Sequence, residues 1–170
     1  MGKKILITGG IKSGKSRVAL KLARETGNGE KIFIATARPI DEGMEKKIEK
    51  HKEERGSDFR TIEAPIHLGN ALSEVRHSTA VIDCLTLWLS NLFFELKEEE
   101  KLRETDSFIE ALNNFDGKAI VVTNEVGWGI IPADEISRRY QSELGSLNQA
   151  VAKICDEVYL LISGLPLRVK

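Results

Sequence analysis

Near the amino terminus, Gly9-Gly10-Ile11-Lys12-Ser13-Gly14-Lys15-Ser16 has the residue types and spacing of a phosphate cradle. It satisfies G-x-x-x-x-G-K-[ST] at every fixed position and follows directly on the apolar run Ile5-Leu6-Ile7. Each fixed residue has a chemical task. Glycines let the backbone curl so that its N–H groups point at phosphate oxygens, where a side chain would block the approach. The Lys15 ammonium can reach β- and γ-phosphates, and the Ser16 hydroxyl is a hard donor suited to Mg²⁺. A helix starting at Ser16 aims the positive end of its dipole at the same anion. The segment predicts binding of a nucleoside triphosphate.

Other candidates follow from where a parallel sheet binds ligands, beyond the carboxyl ends of its strands. Asp83 closes the apolar strand that contains Ala80-Val81-Ile82 and is placed to hold a Mg²⁺ shell. Thr36 follows a second strand, and Thr123-Asn124-Glu125 closes another. Gly127-Trp128-Gly129 is either a flexible turn or a close contact for a bulky partner. Two absences argue against a regulatory GTPase. Thr123-Asn124-Glu125-Val126 lacks the Lys and Asp that read guanine, and Asp83-Cys84-Leu85-Thr86 lacks the switch glycine. Of the three histidines, His67 opens a helix and His77 lies in a turn, incidental positions both. His51 differs, because Met44 and Ile48 define an apolar helical stripe that continues through His51 to Arg55. Two readings stay open for it: a half-buried structural histidine, or a neutral imidazole nucleophile toward phosphorus with Lys52 and Arg55 offsetting charge.

These residues need a scaffold, and the hydrophobic pattern supplies one. Strands are expected over 3–8, 31–35, 59–63, 79–83, 119–123 and 157–162. Helices are expected over 16–25, 42–55, 68–76, 85–96, 97–113 and 134–155. Continuously apolar strands alternating with helices mean an α/β fold: a P-loop NTPase-like, mostly parallel sheet with helices on both faces. The 85–96 helix is apolar nearly all round, so it must be covered nearly all round. At 170 residues, 41% hydrophobic and 30% charged, residues 1–170 are expected to form a single nucleotide-binding domain. A net charge of −1 argues against nucleic acid or an anionic membrane as partner, so any phosphate attraction is local. Cys84 and Cys155 are far apart and read as small core residues. No leader-like segment precedes the first strand, and no apolar run approaches the about 18 residues needed to span a bilayer. A cytoplasmic protein is expected.

Taken together, the residues resemble the bifunctional adenosylcobinamide kinase/adenosylcobinamide-phosphate guanylyltransferase family of cobalamin biosynthesis, over almost the whole chain. The resemblance rests on Thr8-Gly9-Gly10 and the loop that follows, and on Ile34-Ala35-Thr36-Ala37. The stretch from Lys47 through His51 and Arg55 to Phe59-Arg60-Thr61-Ile62-Glu63 is similar to R-I-x-x-H-x-x-x-R-x-x-x-W-x-T-x-E. Asp83-Cys84-Leu85-Thr86, Asn91-Leu92, the run from Thr123 to Pro132, and Asn148-Gln149 also match. The resemblance implies phosphorylation of adenosylcobinamide by ATP or GTP. It then implies transfer of GMP from GTP onto that phosphate, with His51 carrying GMP covalently. It implies GTP contacts at Gly9, Gly10, Ile11, Lys12, Ser13, Gly14, Lys15, Ser16, Ala35, Thr36, Ala37, Lys52, Glu53, Glu54, Arg55, Glu63 and Asp83. It further implies a propeller-like homotrimer with active sites at subunit interfaces. Three departures bear on affinity: Lys12 and Lys47 each replace an arginine, losing bidentate geometry, and Phe59 replaces a tryptophan, losing an N–H donor. The competing readings are a phosphate-loop small-molecule kinase without nucleotidyl transfer, and a nucleotide-gated binding module signalling through Gly127–Gly129.

Overall fold

The computed structural model of the protein describes residues 2–27, 29–39, 42–43, 49, 52 and 56–170. Its strands are β1 (Lys4–Gly9), β2 (Lys31–Ala35), β3 (Arg60–Glu63), β4 (Thr79–Asp83), β5 (Lys118–Val122), β6 (Glu157–Ile162) and β7 (Leu165–Arg168). Its helices are α1 (Lys15–Arg24), α2 (Leu68–Glu74), α3 (Leu85–Glu95), α4 (Glu98–Asn113) and α5 (Glu135–Ile154). The helix expected over 42–55, with Met44, Ile48, His51 and Arg55 on its stripe, falls largely outside the described residues.

The strands form one sheet in the order β3-β2-β4-β5-β1-β6-β7. Every neighbouring pair is parallel except β6–β7. β1 is buried along its whole length, as a strand covered on both faces must be. Alternation then sorts its side chains. Leu6 joins Ile34, Ile82 and Val121 on the face packed by α2, α3, α4 and α5 through Leu72, Trp88, Phe108 and Leu144. Ile5 and Ile7 join Phe33, Val81 and Ile120 on the face packed by Ala19, Leu20 and Ala23 of α1. The expected α/β sheet with helices on both faces is what forms.

Three differences from the sequence reading have physical causes. First, β7 adds an antiparallel edge strand where the pattern was expected to end at β6. Its residues are all exposed and include Pro166, so it carries no burial signal, and pairing is set by the Ser163-Gly164 turn, with φ of 51° and 86°. Second, the chain covers only one side of α3. Leu85, Trp88, Leu89 and Leu92 are buried, the Trp88 indole N–H donating to Ile66 O at 2.7 Å, whereas Phe94 is 74% exposed. Third, Phe59 does not stand at the ligand edge. It precedes β3, is buried among the α1-side residues and lies under the Arg24 guanidinium at 5.6 Å. Its exchange for tryptophan therefore concerns packing at the opposite end of the sheet.

Helices α2 and α4 cross where Gly69 faces Ser107. A Cβ on Gly69 would lie 2.4 Å from Ser107 Oγ and 2.7 Å from its carbonyl carbon. Because the obstacle is partly backbone, Gly69→Ala must push the helices apart. We expect it to destabilise the protein by about 1–3 kcal/mol, the usual cost of overpacking, as measured by denaturant unfolding.

Candidate active site

Parallel register brings the carboxyl ends of several strands to one edge. Ala35 pairs with Asp83 and with Glu63, Asp83 pairs with Val122, and Val122 pairs with Ile7. The residues after these positions therefore crowd together: Gly9 to Ser16, Thr36-Ala37, Asp83-Cys84 and Thr123 to Glu125.

The glycine-rich loop is shaped by close approach. A Cβ on Gly9 would sit 2.5 Å from Leu161 O, and Gly9 has φ of 145°, so only glycine fits there. Gly14, with φ of 92°, is the N-cap of α1 and turns the chain so that Lys15 and Ser16 open the helix. The Gly164 N–H of the β6–β7 turn donates to Ser13 O at 3.0 Å, so the hairpin braces the loop from outside. Ile11 and Lys12 are exposed at the tip. The Lys15 ammonium folds back over the loop and donates to Gly10 O at 2.6 Å, with Ser13 Oγ at 3.5 Å. Burial lowers the Lys15 pKa from its ordinary value, while Cys84 and Asp83 across the site oppose that shift. The cation of the loop thus faces the strand-ending carboxylate.

Around Asp83 the backbone is tied in place. Thr36 is fully buried, its hydroxyl donating to Cys84 O and accepting from Cys84 N–H, each at 2.8 Å. Asn91 Nδ2 donates to Thr36 O at 2.8 Å and to Pro65 O at 3.0 Å. Thr36 therefore holds the site together, its hydroxyl spent on Cys84, its N–H on Asp83 O at 3.3 Å and its carbonyl on Asn91. Asp83 itself is half-buried. Burial, helped by Asp83, pushes the Cys84 thiol up to about 12, so this cysteine beside Lys15 is a neutral packing residue.

A second polar cluster, at the end of β5, carries roles that motif spacing did not display. Thr8 Oγ1 donates to Glu125 Oε1 at 2.8 Å, and the Glu125 N–H donates to Gly9 O. Thr123 Oγ1 donates to Asn148 Oδ1 at 2.7 Å, and Asn148 Nδ2 donates to Asn124 O at 3.1 Å. The Asn124 N–H donates to Thr86 Oγ1, and Tyr140 donates its hydroxyl to Thr86 O at 2.7 Å. In the sequence this cluster shows as a run of polar residues after an apolar strand and as family-like pieces at Thr123 and Asn148, neither of which says that partners 25 residues apart meet.

The expected nucleotide residues Ala35, Ala37 and Asp83 share this edge with the loop, whereas Glu63 is exposed on the far edge strand. Lys52 is exposed, and His51 and Glu53 to Arg55 lie outside the described residues. The donors Ser16 and Asp83 suit Mg²⁺, which keeps several waters and phosphate oxygens and needs only one or two protein oxygens. Among the described residues no cluster of three or more His, Cys, Asp or Glu side chains could hold a metal by itself.

Comparison with known proteins now bears on this site. The family described as cobinamide kinase / cobinamide phosphate guanyltransferase matches residues 5–169. The chain belongs to the cobinamide kinase / cobinamide phosphate guanyltransferase family. It is 41% identical, over 97% of its length and 96% of the relative's, to the bifunctional adenosylcobalamin biosynthesis protein CobP of Pseudomonas aeruginosa. It is 32% identical to the bifunctional adenosylcobalamin biosynthesis protein CobU of Escherichia coli, over 98% of this chain and 99% of that one. The flagellar accessory protein FlaH of Methanocaldococcus jannaschii shares the fold, with a TM-score of 0.55 at 14% identity, covering 99% of this chain and 78% of FlaH. As a member of the cobinamide kinase / cobinamide phosphate guanyltransferase family, the protein belongs to a group of enzymes, and among its described residues no helix is long and apolar enough to cross a membrane.

The two thiols test the packing at opposite ends of the sheet, Cys84 just after β4 and Cys155 just before β6. Burial pushes Cys84 and Cys155 alike up to about 12, so at about pH 8 only about 1 in 10⁴ of either is thiolate. A disulfide reagent should label neither in the folded protein and both after denaturation. Rapid labelling of one thiol in the native protein would show that its surroundings open to water.

Proposed function

We propose that this chain, acting over residues 1–170 as one nucleotide-binding domain, phosphorylates adenosylcobinamide and then guanylylates the product. ATP or GTP would supply the phosphoryl group, and GTP the GMP. The observation that carries this reading is the family match from residue 5 to 169, coinciding with a loop whose buried lysine faces Asp83. In the first reaction the substrate hydroxyl attacks the γ-phosphorus directly. The loop N–H groups and the dipole of α1 hold the triphosphate, and Lys15 meets charge that grows on the moving phosphoryl group. Mg²⁺, held by Ser16 and Asp83, would neutralise negative charge on the phosphates when bound.

The second reaction is assigned to His51, whose support is its place in the family-like stretch from Lys47 to Glu63. An imidazole is largely neutral at pH 7 and can attack the α-phosphorus, releasing pyrophosphate and leaving GMP on nitrogen. Lys52 and Arg55, one and four residues further on in the sequence, would offset phosphate charge. A homotrimer in the cytoplasm fits this reading. Phe94, Trp128, Ile130 and Ile131 are exposed apolar side chains that a neighbouring copy could cover. Light scattering at micromolar concentration tests the oligomer, and a monomer would overturn it.

Two substitutions separate the reactions. Lys15→Ala should lower both half-reactions by about 10²–10³ with little change in unfolding temperature. His51→Ala should abolish acid-labile labelling of the protein by α-labelled GTP, and with it GMP transfer, while phosphorylation of adenosylcobinamide persists. If wild-type protein phosphorylates its substrate but is never α-labelled and transfers no GMP, the protein is a small-molecule kinase alone.

A further inference from the structure

A phosphoryl transfer to a hydroxyl must also dispose of the hydroxyl proton, and none of Lys15, Ser16 or His51 does so. A carboxylate or imidazole within reach of the attacking hydroxyl would speed the step by about 10²–10⁴-fold, the gain that positioned proton transfer supplies. The sheet order limits the choice. Asp83 at the end of β4 is assigned to Mg²⁺, and, taking neighbouring strands at about 4.8 Å, β3 with Glu63 lies roughly 19 Å from β1. β5 is the direct neighbour of β1 on that side, and Glu125 lies three residues beyond its end.

Glu125 is also held for a purpose. Its N–H is bonded to Gly9 O and its Oε1 accepts from the Thr8 hydroxyl, so its position is tied to the start of the phosphate loop. Oε2 takes no part in that bond. Among the described residues no Lys, Arg or His forms an ion pair with Glu125, and the side chain is half-buried at the ligand edge. An unneutralised carboxylate beside a triphosphate weakens nucleotide binding by like-charge repulsion, so affinity does not explain it. Proton removal does.

We infer that Glu125 is the general base of the kinase step, oriented by Thr8. This rests on the proposed kinase reading. The substrate oxygen forms a bond to the γ-phosphorus while its proton passes to Glu125 Oε2. The bond from the γ-phosphorus to the β–γ bridging oxygen breaks, and the nucleoside diphosphate leaves with the electron pair. Glu125 later returns the proton to water. GMP transfer needs no such base, because its nucleophiles are an imidazole nitrogen and then the substrate's own phosphate oxygen.

The test is Glu125→Gln, which keeps an acceptor for the Thr8 hydroxyl and removes the basicity. Three quantities are measured beside wild type: the rate of adenosylcobinamide phosphorylation, the affinity for ATP and GTP, and GMP transfer to separately prepared adenosylcobinamide phosphate. Phosphorylation should fall about 10²–10⁴-fold in kcat, with nucleotide affinity and GMP transfer near wild type. Thr8→Val, which frees the carboxylate without deleting it, should lower kcat for phosphorylation less than Glu125→Gln does and leave GMP transfer intact. If Glu125→Gln phosphorylates within a few-fold of wild type, the assignment is overturned. If both half-reactions fall together, Glu125 is only a prop for the loop, and the assignment is overturned again. If wild type does not phosphorylate at all, the kinase reading itself fails and takes this assignment with it.

Discussion

The distance between β1 and β6 at the level of Gly9 controls how the ligand edge is assembled. Leu161 O occupies the space that any Cβ at position 9 would need, so the strands can pair to their ends only with glycine there. With that pairing complete, the next residues of β1 enter the loop, and the β6–β7 turn is close enough for Gly164 N–H to reach Ser13 O. On the other side, β5 closes on the same segment through Thr123 N–H to Ile7 O and Glu125 N–H to Gly9 O. The loop is thus shaped from both flanks by backbone hydrogen bonds. Its side chains are left for chemistry.

That arrangement explains how a chain of net charge −1 can attract a polyanion. The attraction does not come from a basic surface. In the proposed reading it comes from N–H groups at the start of α1 and from one lysine that burial discourages from carrying charge and a nearby carboxylate encourages. A phosphate oxygen replacing Gly10 O as partner would add a full negative charge to a donor already pointing inward. Binding therefore strengthens the charged form of Lys15, and the field acts at short range where salt screens it least.

Much of this edge was legible in the sequence, and the reasons differ by residue. The loop and the strands β1, β2, β4 and β5 were readable because central parallel strands are apolar on both faces and phosphate loops have a rigid grammar. Asp83 was readable as a strand-ending acid. The Thr8–Glu125 pair was not, because it joins residues 117 apart and depends on β5 lying next to β1, which local periodicity does not encode. Thr36 lies at the strand end that the pattern indicates, but its hydroxyl turns inward to the backbone of Cys84, a choice decided by burial. Phe59 was judged by motif position, whereas its strand direction puts it at the far end of the sheet. β7 escaped because its alternation of Leu165 and Leu167 with Pro166 and Arg168 spans only four residues, and a proline argues against a strand.

The segment after Glu125 shows how the fold keeps an irregular stretch useful. Its two ends are pinned: Gln141 Nε2 donates to Val126 O at 3.0 Å, and Asp134 caps α5 by accepting from Ser137 N–H at 2.7 Å. Arg138 adds bonds to Pro132 O and Ala133 O. Between these pins Gly127 to Ile131 carries Trp128, Ile130 and Ile131 outward into solvent. Such exposure costs hydration free energy in the isolated chain and gains it back against any apolar surface brought to that edge. The crest is therefore divided by chemistry. Charged and hydrogen-bonding groups lie at the ends of β1, β4 and β5, and exposed apolar side chains lie on the segment beyond Glu125, a surface suited to an apolar neighbour.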